Sequence, residues 1–253
     1  MPKKRINLIQ FIFMKKIFFI ILFTISIVGW SQTINDSLKD KNILVVYGGW
    51  QGHNPNIFGE KIAEWFLSKG ANVNVTQDTE IYTDKAYMDK VDLVINHITM
   101  SEISNEASRG LQNAIASGTG LAGCHGGLGD SFRNDTEYQY MVGGQFVKHP
   151  GGQIDYTVSI LDTNDPVTEG LSNFNLHTEQ YFMHFDPSIN VLATTTFTGV
   201  HDPRINGVVM PVVWKKTYGK GKVFYSAIGH SGDLFDIEEV WTLITRGATW
   251  AIR

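Results

Sequence analysis

The sequence predicts an α/β fold of the doubly wound kind, a mostly parallel sheet with helices on both faces. Three observations carry this. Short unbroken apolar runs such as Ile43–Tyr47 have the composition of strands buried on both faces. Stretches with apolar residues at helical spacing follow them, as in Ile57, Phe58, Ile62, Trp65 and Phe66, with Gly70 as a stop signal. The two kinds of segment alternate through the first half of the chain, the arrangement that right-handed crossovers between parallel strands require.

Taken in order, Ile43–Tyr47 is the first strand, and a glycine-rich loop, Gly48 to Asn54, leads into the first helix. Asn72–Thr76 alternates polar and apolar residues as a second strand. Tyr82–Lys90 reads as a short helix and Val91–Asn96 as a third strand. Ile103, Ala107, Leu111, Ala114 and Ile115 mark a helix closed by Gly118, and the fourth strand runs into Cys124 and His125. The second half adds a short helix at Thr136–Val142 and strands at Gln153–Ile160, Asn190–Phe197, Val208–Trp214 and Val223–Ile228. Asp165–Leu171 reads as a loop, Tyr-Gly-Lys-Gly-Lys (218–222) as a hairpin turn, and Glu238–Ile252 as a closing helix. Extra β-hairpin strands in the C-terminal half are therefore expected.

Residues 1–31 read as a secretory signal peptide: Met14-Lys15-Lys16, a nearly unbroken apolar run from Ile17 to Val28, then Gly29 and Ser31 as small residues before a cut. Met14 is a second candidate start. The run is short against the roughly 20 residues of a membrane span, which favours cleavage and leaves no stable membrane anchor. A periplasmic or secreted protein of one domain, residues 32–253, is the expectation. The net charge of −4, with no basic cluster after the leader, argues against a nucleic-acid partner. Cys124 is the sole cysteine, so no internal disulfide can form, and its thiol is either buried and inert or functional.

The densest chemical signal is Gly-Leu-Ala-Gly-Cys-His-Gly-Gly (120–127). Small residues on both sides of a strand-to-helix elbow make room for one exposed side chain at its tip. Two registers fit, one lifting His125 between Gly123 and Gly127, the other lifting Cys124 between Ala122 and Gly126. Ligands of open parallel sheets bind beyond the carboxyl ends of the strands. The predicted ends at Tyr47, Asn96, Cys124 and Ile228 are each followed within a few residues by a histidine: His53, His97, His125 and His230. Histidines gathered there suit either general acid–base work or a divalent metal such as zinc, with His53, His125 and His230 as the candidate ligands. His97 reads as a core hydrogen-bonding residue. His149 and His201, beside Pro150 and Asp202, read as turn residues, and Asp130 as a helix cap. In His177-Thr-Glu-Gln-Tyr181, His177 and Glu179 lie two apart, on one face of a strand. Trp50 and Tyr181 lie beside these polar groups, and aromatic faces suit the CH faces of sugar rings.

These segments together resemble the trehalose-utilisation (ThuA-like) family over roughly residues 42–253. The resemblance rests on Gly120–Gly126, on Val142-Gly-Gly-Gln-Phe-Val-Lys-His-Pro150, on Asp165–Leu171, on His177–Tyr181, and on Pro211–Trp214 followed by Tyr218 to His230. It implies a fold similar to class I glutamine amidotransferases (flavodoxin-like) and a histidine at the elbow, matched by His125, with a terminal Gly-His matched by His230. Two positions depart from the family pattern: Thr178-Glu179 stands where an acidic pair is common, and Asp165 where a histidine often precedes the proline. The implied role is carbohydrate catabolism: cleavage or isomerisation of a keto-disaccharide or glycoside derivative, with His125, Glu179 and His230 catalytic. Trp50, Tyr181 and Cys124 are assigned to contact with a small-molecule sugar substrate. Two alternatives stay open. One is a cysteine hydrolase of the amidotransferase type, with Cys124 as nucleophile and His177 and Glu179 as base and orienter. The other is a sugar-binding module without chemistry.

Overall fold

The computed structural model describes residues 37–253, so the leader assigned to residues 1–31 lies outside the described residues. Among the described residues, eleven strands build two sheets. The nine-stranded one begins with β1 (Asn42–Gly49), β2 (Asn72–Thr76), β3 (Leu93–Thr99) and β4 (Gly120–Cys124). The second half supplies β5 (Gly144–Lys148), β6 (Gln153–Ile160), β7 (Phe174–Glu179), β8 (Phe182–Phe185), β9 (Asn190–Thr196), β10 (Val209–Tyr218) and β11 (Gly221–Ser226). The order across the large sheet is β2-β1-β3-β4-β11-β10-β9-β6-β7, and β5 pairs with β8 in a separate ribbon.

The first five strands of that order are mutually parallel. From β11 onward the pairings are antiparallel, through β10, β9, β6 and β7. The alternating half of the sequence thus makes the parallel half of the sheet, and the hairpin-rich half extends its edge. β1 and β3 show why unbroken apolar runs mark this architecture. Leu44, Val45, Val46, Leu93, Val94 and Ile95 are all buried, because side chains on both faces of the sheet meet a covering layer. Each such side chain contributes about 1.5–3 kcal/mol by leaving water.

The helices are α1 (Pro55–Ser68), α2 (Lys85–Met88), α3 (Asn105–Ser117), α4 (Gly126–Gly129), α5 (Thr136–Val142) and α6 (Glu238–Ala251). Side-chain caps open α2, α3 and α5. Ser104 accepts from the Ala107 N–H at the head of α3, and Asp135 from the Tyr138 N–H at the head of α5. α1 packs on β1 and β2, and α6 on β4 and β11, where Gly247 lets the ring of Phe224 approach the helix.

Several segments differ from the sequence reading. Tyr82–Lys90 divides into a 3-10 turn, Thr79–Thr83, and the single turn of α2, because Asp84 caps the second piece through the Tyr87 N–H. β3 continues through His97 to Thr99, and β10 to Tyr218, since each is paired along its whole length. β5 and β8 have little apolar alternation of their own and exist by pairing with each other.

Candidate active site

The large sheet brings four side chains from distant parts of the chain to one place, three from its parallel half and one from β7 at its antiparallel edge. His53 closes a 3-10 turn after β1, His125 follows β4, His230 follows β11, and Glu179 ends β7. One ligand atom from each lies within 4.8 Å of all the others, so the group could hold a metal ion.

His125 is the tip of the elbow, which selects the first of the two registers. Its backbone, at φ 54° and ψ −140°, lies where a residue with a Cβ is strained. The turn is held from below. Tyr225 donates its hydroxyl to the His125 carbonyl at 3.0 Å. Asn96, fully buried at the centre of β3, donates to the Gly127 carbonyl, to Ser131 Oγ and to Tyr138 Oη, each at 3.0 Å, and accepts from the Tyr82 hydroxyl. The glycines around the tip are steric necessities: a Cβ on Gly127 would stand 2.2 Å from His97 Nδ1, and one on Gly126 2.9 Å from His53 Cε1.

The hydrogen bonds fix how the imidazoles present themselves. His125 Nδ1 lies 2.9 Å from the carbonyl of Ala227, which can only accept, so Nδ1 carries the proton and Nε2 a lone pair. That Nε2 faces Glu179 Oε2 at 3.1 Å and receives the Tyr181 hydroxyl at 2.7 Å. His230 Nδ1 faces the same Oε2 at 3.2 Å, yet it is buried without a hydrogen-bond partner. His53 bonds Thr99 Oγ1 through Nδ1, leaving Nε2 as its other ring nitrogen. Metal-binding imidazoles are commonly oriented in this way, by a hydrogen bond at the nitrogen that does not bind.

Burial sets the charge state. It depresses the His53 imidazole to about 3, helped by the neighbouring His125 and His230, with Glu179 opposing. His125 is also lowered by burial, against the raising effect of Glu179 and Ala227. Burial works to raise the Glu179 carboxyl, but the facing imidazoles of His125 and His230 outweigh it and hold the group below the usual carboxylate range. Imidazole nitrogens around a carboxylate are a donor set suited to a divalent cation.

The remaining assignments divide. Trp50 is 46% exposed and makes a T-shaped contact with His53, centroids 4.7 Å apart. Tyr181 has no ring face to offer. It is 4% exposed, stacked on His125 at 4.1 Å and packed on Phe146 at 4.4 Å, so only its hydroxyl reaches the cluster. Cys124 has no exposed surface and cannot touch a substrate. Its side chain points behind the elbow, 3.9 Å from His97 Nδ1, and burial pushes the thiol pKa far up. His177 is turned to solvent on Asp155, its partner across β6–β7, while Glu179 is buried at the strand end. The Cys124, His177 and Glu179 grouping of a cysteine hydrolase is therefore not assembled.

His149, read from its neighbours as a turn residue, stands with Nε2 3.4 Å from Glu179 Oε1. The signal that could have drawn it in was its place in the Val142–Pro150 stretch. His97 is a buried core residue as expected. Asp130 does not cap a helix with its side chain but takes Arg133 in a two-pronged pair at 2.7 Å. Asp165 forms a nearly buried ion pair with Lys215, away from the cluster.

With this geometry in view, the comparisons with known proteins are informative. The model of the family described as trehalose utilisation, ThuA, matches residues 42–251. No curated protein matches the chain. Among solved structures, a ThuA-like protein from Bacteroides uniformis is similar at TM-score 0.69 and 16% identity, covering 84% of this chain and 91% of that one. A ThuA-like protein from Parabacteroides merdae aligns at TM-score 0.63 and 19% identity, over 83% and 89% of the two chains. A cytoplasmic protein from Salmonella typhimurium aligns at 0.59 and 14%, over 84% and 100%. At these identities the likeness is one of fold.

Proposed function

The chain belongs to the ThuA family, and from that premise we propose that it is an exported sugar-processing enzyme working with a divalent cation such as zinc. The family supports a carbohydrate-related role. The substrate class we assign is a keto-disaccharide or related glycoside derivative, cleaved or isomerised at the cluster.

One observation carries the reading. His125 Nε2 and Glu179 Oε2 stand 3.1 Å apart, with the unpartnered His230 Nδ1 at 3.2 Å from the same oxygen and His53 in the same group. Ring nitrogens and a carboxylate gathered that closely are a ready donor set for a cation, and the burial that discourages protonation of His125 favours it. His53, His125, Glu179 and His230 would hold it. When bound, such an ion supplies Lewis-acid polarisation of a sugar oxygen. The chain's own residues do the rest. Trp50 presents its indole to a sugar ring. Glu179 keeps Oε1, on the His149 side, for accepting a proton. Ala227 and Thr99 hold the His125 and His53 rings in orientation.

Export is supported by the charged, apolar and small-residue order of residues 14–31, and a small sugar partner by the carbohydrate-related family. The test is metal content of the purified mature protein beside His125→Ala, His230→Ala and Glu179→Gln. One equivalent in the wild type, lost in the variants, is expected. A wild type that stays metal-free after incubation with zinc refutes the cation. Turnover of a sugar derivative, lost in His125→Ala, separates an enzyme from a binding module.

A further inference from the structure

We infer that Tyr181 is a positioning residue of the cluster, a displaceable cap on the nitrogen by which His125 would take a cation; this rests on reading the cluster as a cation site.

An imidazole nitrogen has one lone pair. At His125 Nε2 that lone pair is engaged by the Tyr181 hydroxyl at 2.7 Å, because Nδ1 is already committed to the Ala227 carbonyl. A cation on Nε2 must therefore first displace the phenol hydrogen. The displacement is small. The Tyr181 ring is fixed by its stacking on His125 and its contact with Phe146, so turning the O–H bond away releases the nitrogen with little rearrangement of the ring. The position in the chain explains how the phenol reaches there. Glu179 ends β7 in the large sheet and Phe182 begins β8 in the ribbon, so the residues between them cross from one sheet to the other beside the elbow. Gln180 anchors that crossing, its amide donating to Thr195 Oγ1 at 2.7 Å. The carboxylate and its neighbouring phenol are thus delivered together, one as candidate ligand and one as its competitor.

The consequence has an unusual sign. Removing a residue of a metal site ordinarily weakens binding, whereas removing this hydroxyl strengthens it. In the full mature protein, Tyr181→Phe keeps the ring and deletes the O–H, and zinc affinity measured by chelator competition should rise about two- to tenfold, the worth of one hydrogen bond. The metal-free protein gives a second readout: the 15N resonance of His125 Nε2 shifts in Tyr181→Phe as the nitrogen loses its donor. Equal or weaker zinc binding by the variant overturns the cap, as does an unmoved resonance. Zinc bound by neither protein, with the resonance still moving, sinks the cation reading and leaves the capping contact standing.

Discussion

The elbow makes a prediction whose sign is opposite to the ordinary one. His125→Gly and His125→Ala delete the same imidazole with the same hydrogen bonds, so those losses cancel in the comparison. What remains is backbone. At a regular position glycine is the less stable of the two by about 0.5–1 kcal/mol, because its unfolded chain has more freedom to lose. At φ 54° and ψ −140° the alanine Cβ keeps a strain of about 1–3 kcal/mol that glycine does not have. Strain less entropy leaves the glycine variant ahead by about 1 kcal/mol, with a range of roughly zero to 2.5. Urea unfolding of both variants, treated with chelator so that metal does not differ between them, measures this directly. With a slope of about 2 kcal/mol/M, the midpoints should separate by about 0.5 M, glycine higher. A control pair at Gln112, in the middle of α3, should show alanine higher by about 1 kcal/mol. Alanine at or above glycine at position 125 would refute the strained elbow, and with it the reason His125 is presented to the cluster at all.

Other outcomes follow from the same geometry. Burial holds the fully buried His97 at about 3, so the folded protein keeps it neutral while the unfolded chain takes up a proton below about 6.5. Its contribution is fully present above pH 6.5 and is lost as pH falls toward 3, by about 1.4 kcal/mol per pH unit; His97→Leu should flatten the stability–pH curve by that slope, read by urea unfolding at several pH values. Asn96→Ala leaves the buried Tyr82 hydroxyl without its acceptor and loosens the Gly127 carbonyl, a cost of about 2–4 kcal/mol by thermal or urea unfolding; a change under 1 kcal/mol would show that the network does not hold the elbow. Cys124 should resist iodoacetamide in the native protein and react fully once unfolded; rapid native alkylation with loss of activity would revive the cysteine hydrolase.

Much of this was legible in the sequence because it is local. The apolar run of β1 and the periodicity of α1 and α3 depend on residues a few positions apart, and so does the small-residue dress of the elbow. The same locality explains why strand ends carrying histidines could be recognised as a candidate site before any packing was known. β5 and β8 escaped because a ribbon strand is stabilised by its partner across a loop and not by its own pattern.

What only the tertiary structure decided are relations between residues with no neighbouring pattern to betray them. Period-two spacing put His177 and Glu179 on one strand face, yet the chain leaves the large sheet at Gln180, so Glu179 turns into the cluster while His177 stays in solvent with Asp155. Cys124 and His125 are adjacent in sequence and equally reactive by type. The positive φ at His125 lifts one toward the ligand cluster and drives the other into the core behind it. His149 belongs to a turn by its neighbours and to Glu179 by its distance. The sequence by itself determined the parallel sheet and the histidines at its carboxyl edge, because burial and turn chemistry act between near neighbours. The choice of which polar groups face one another waited on the long-range pairing of β4, β11 and β7, which no local preference encodes.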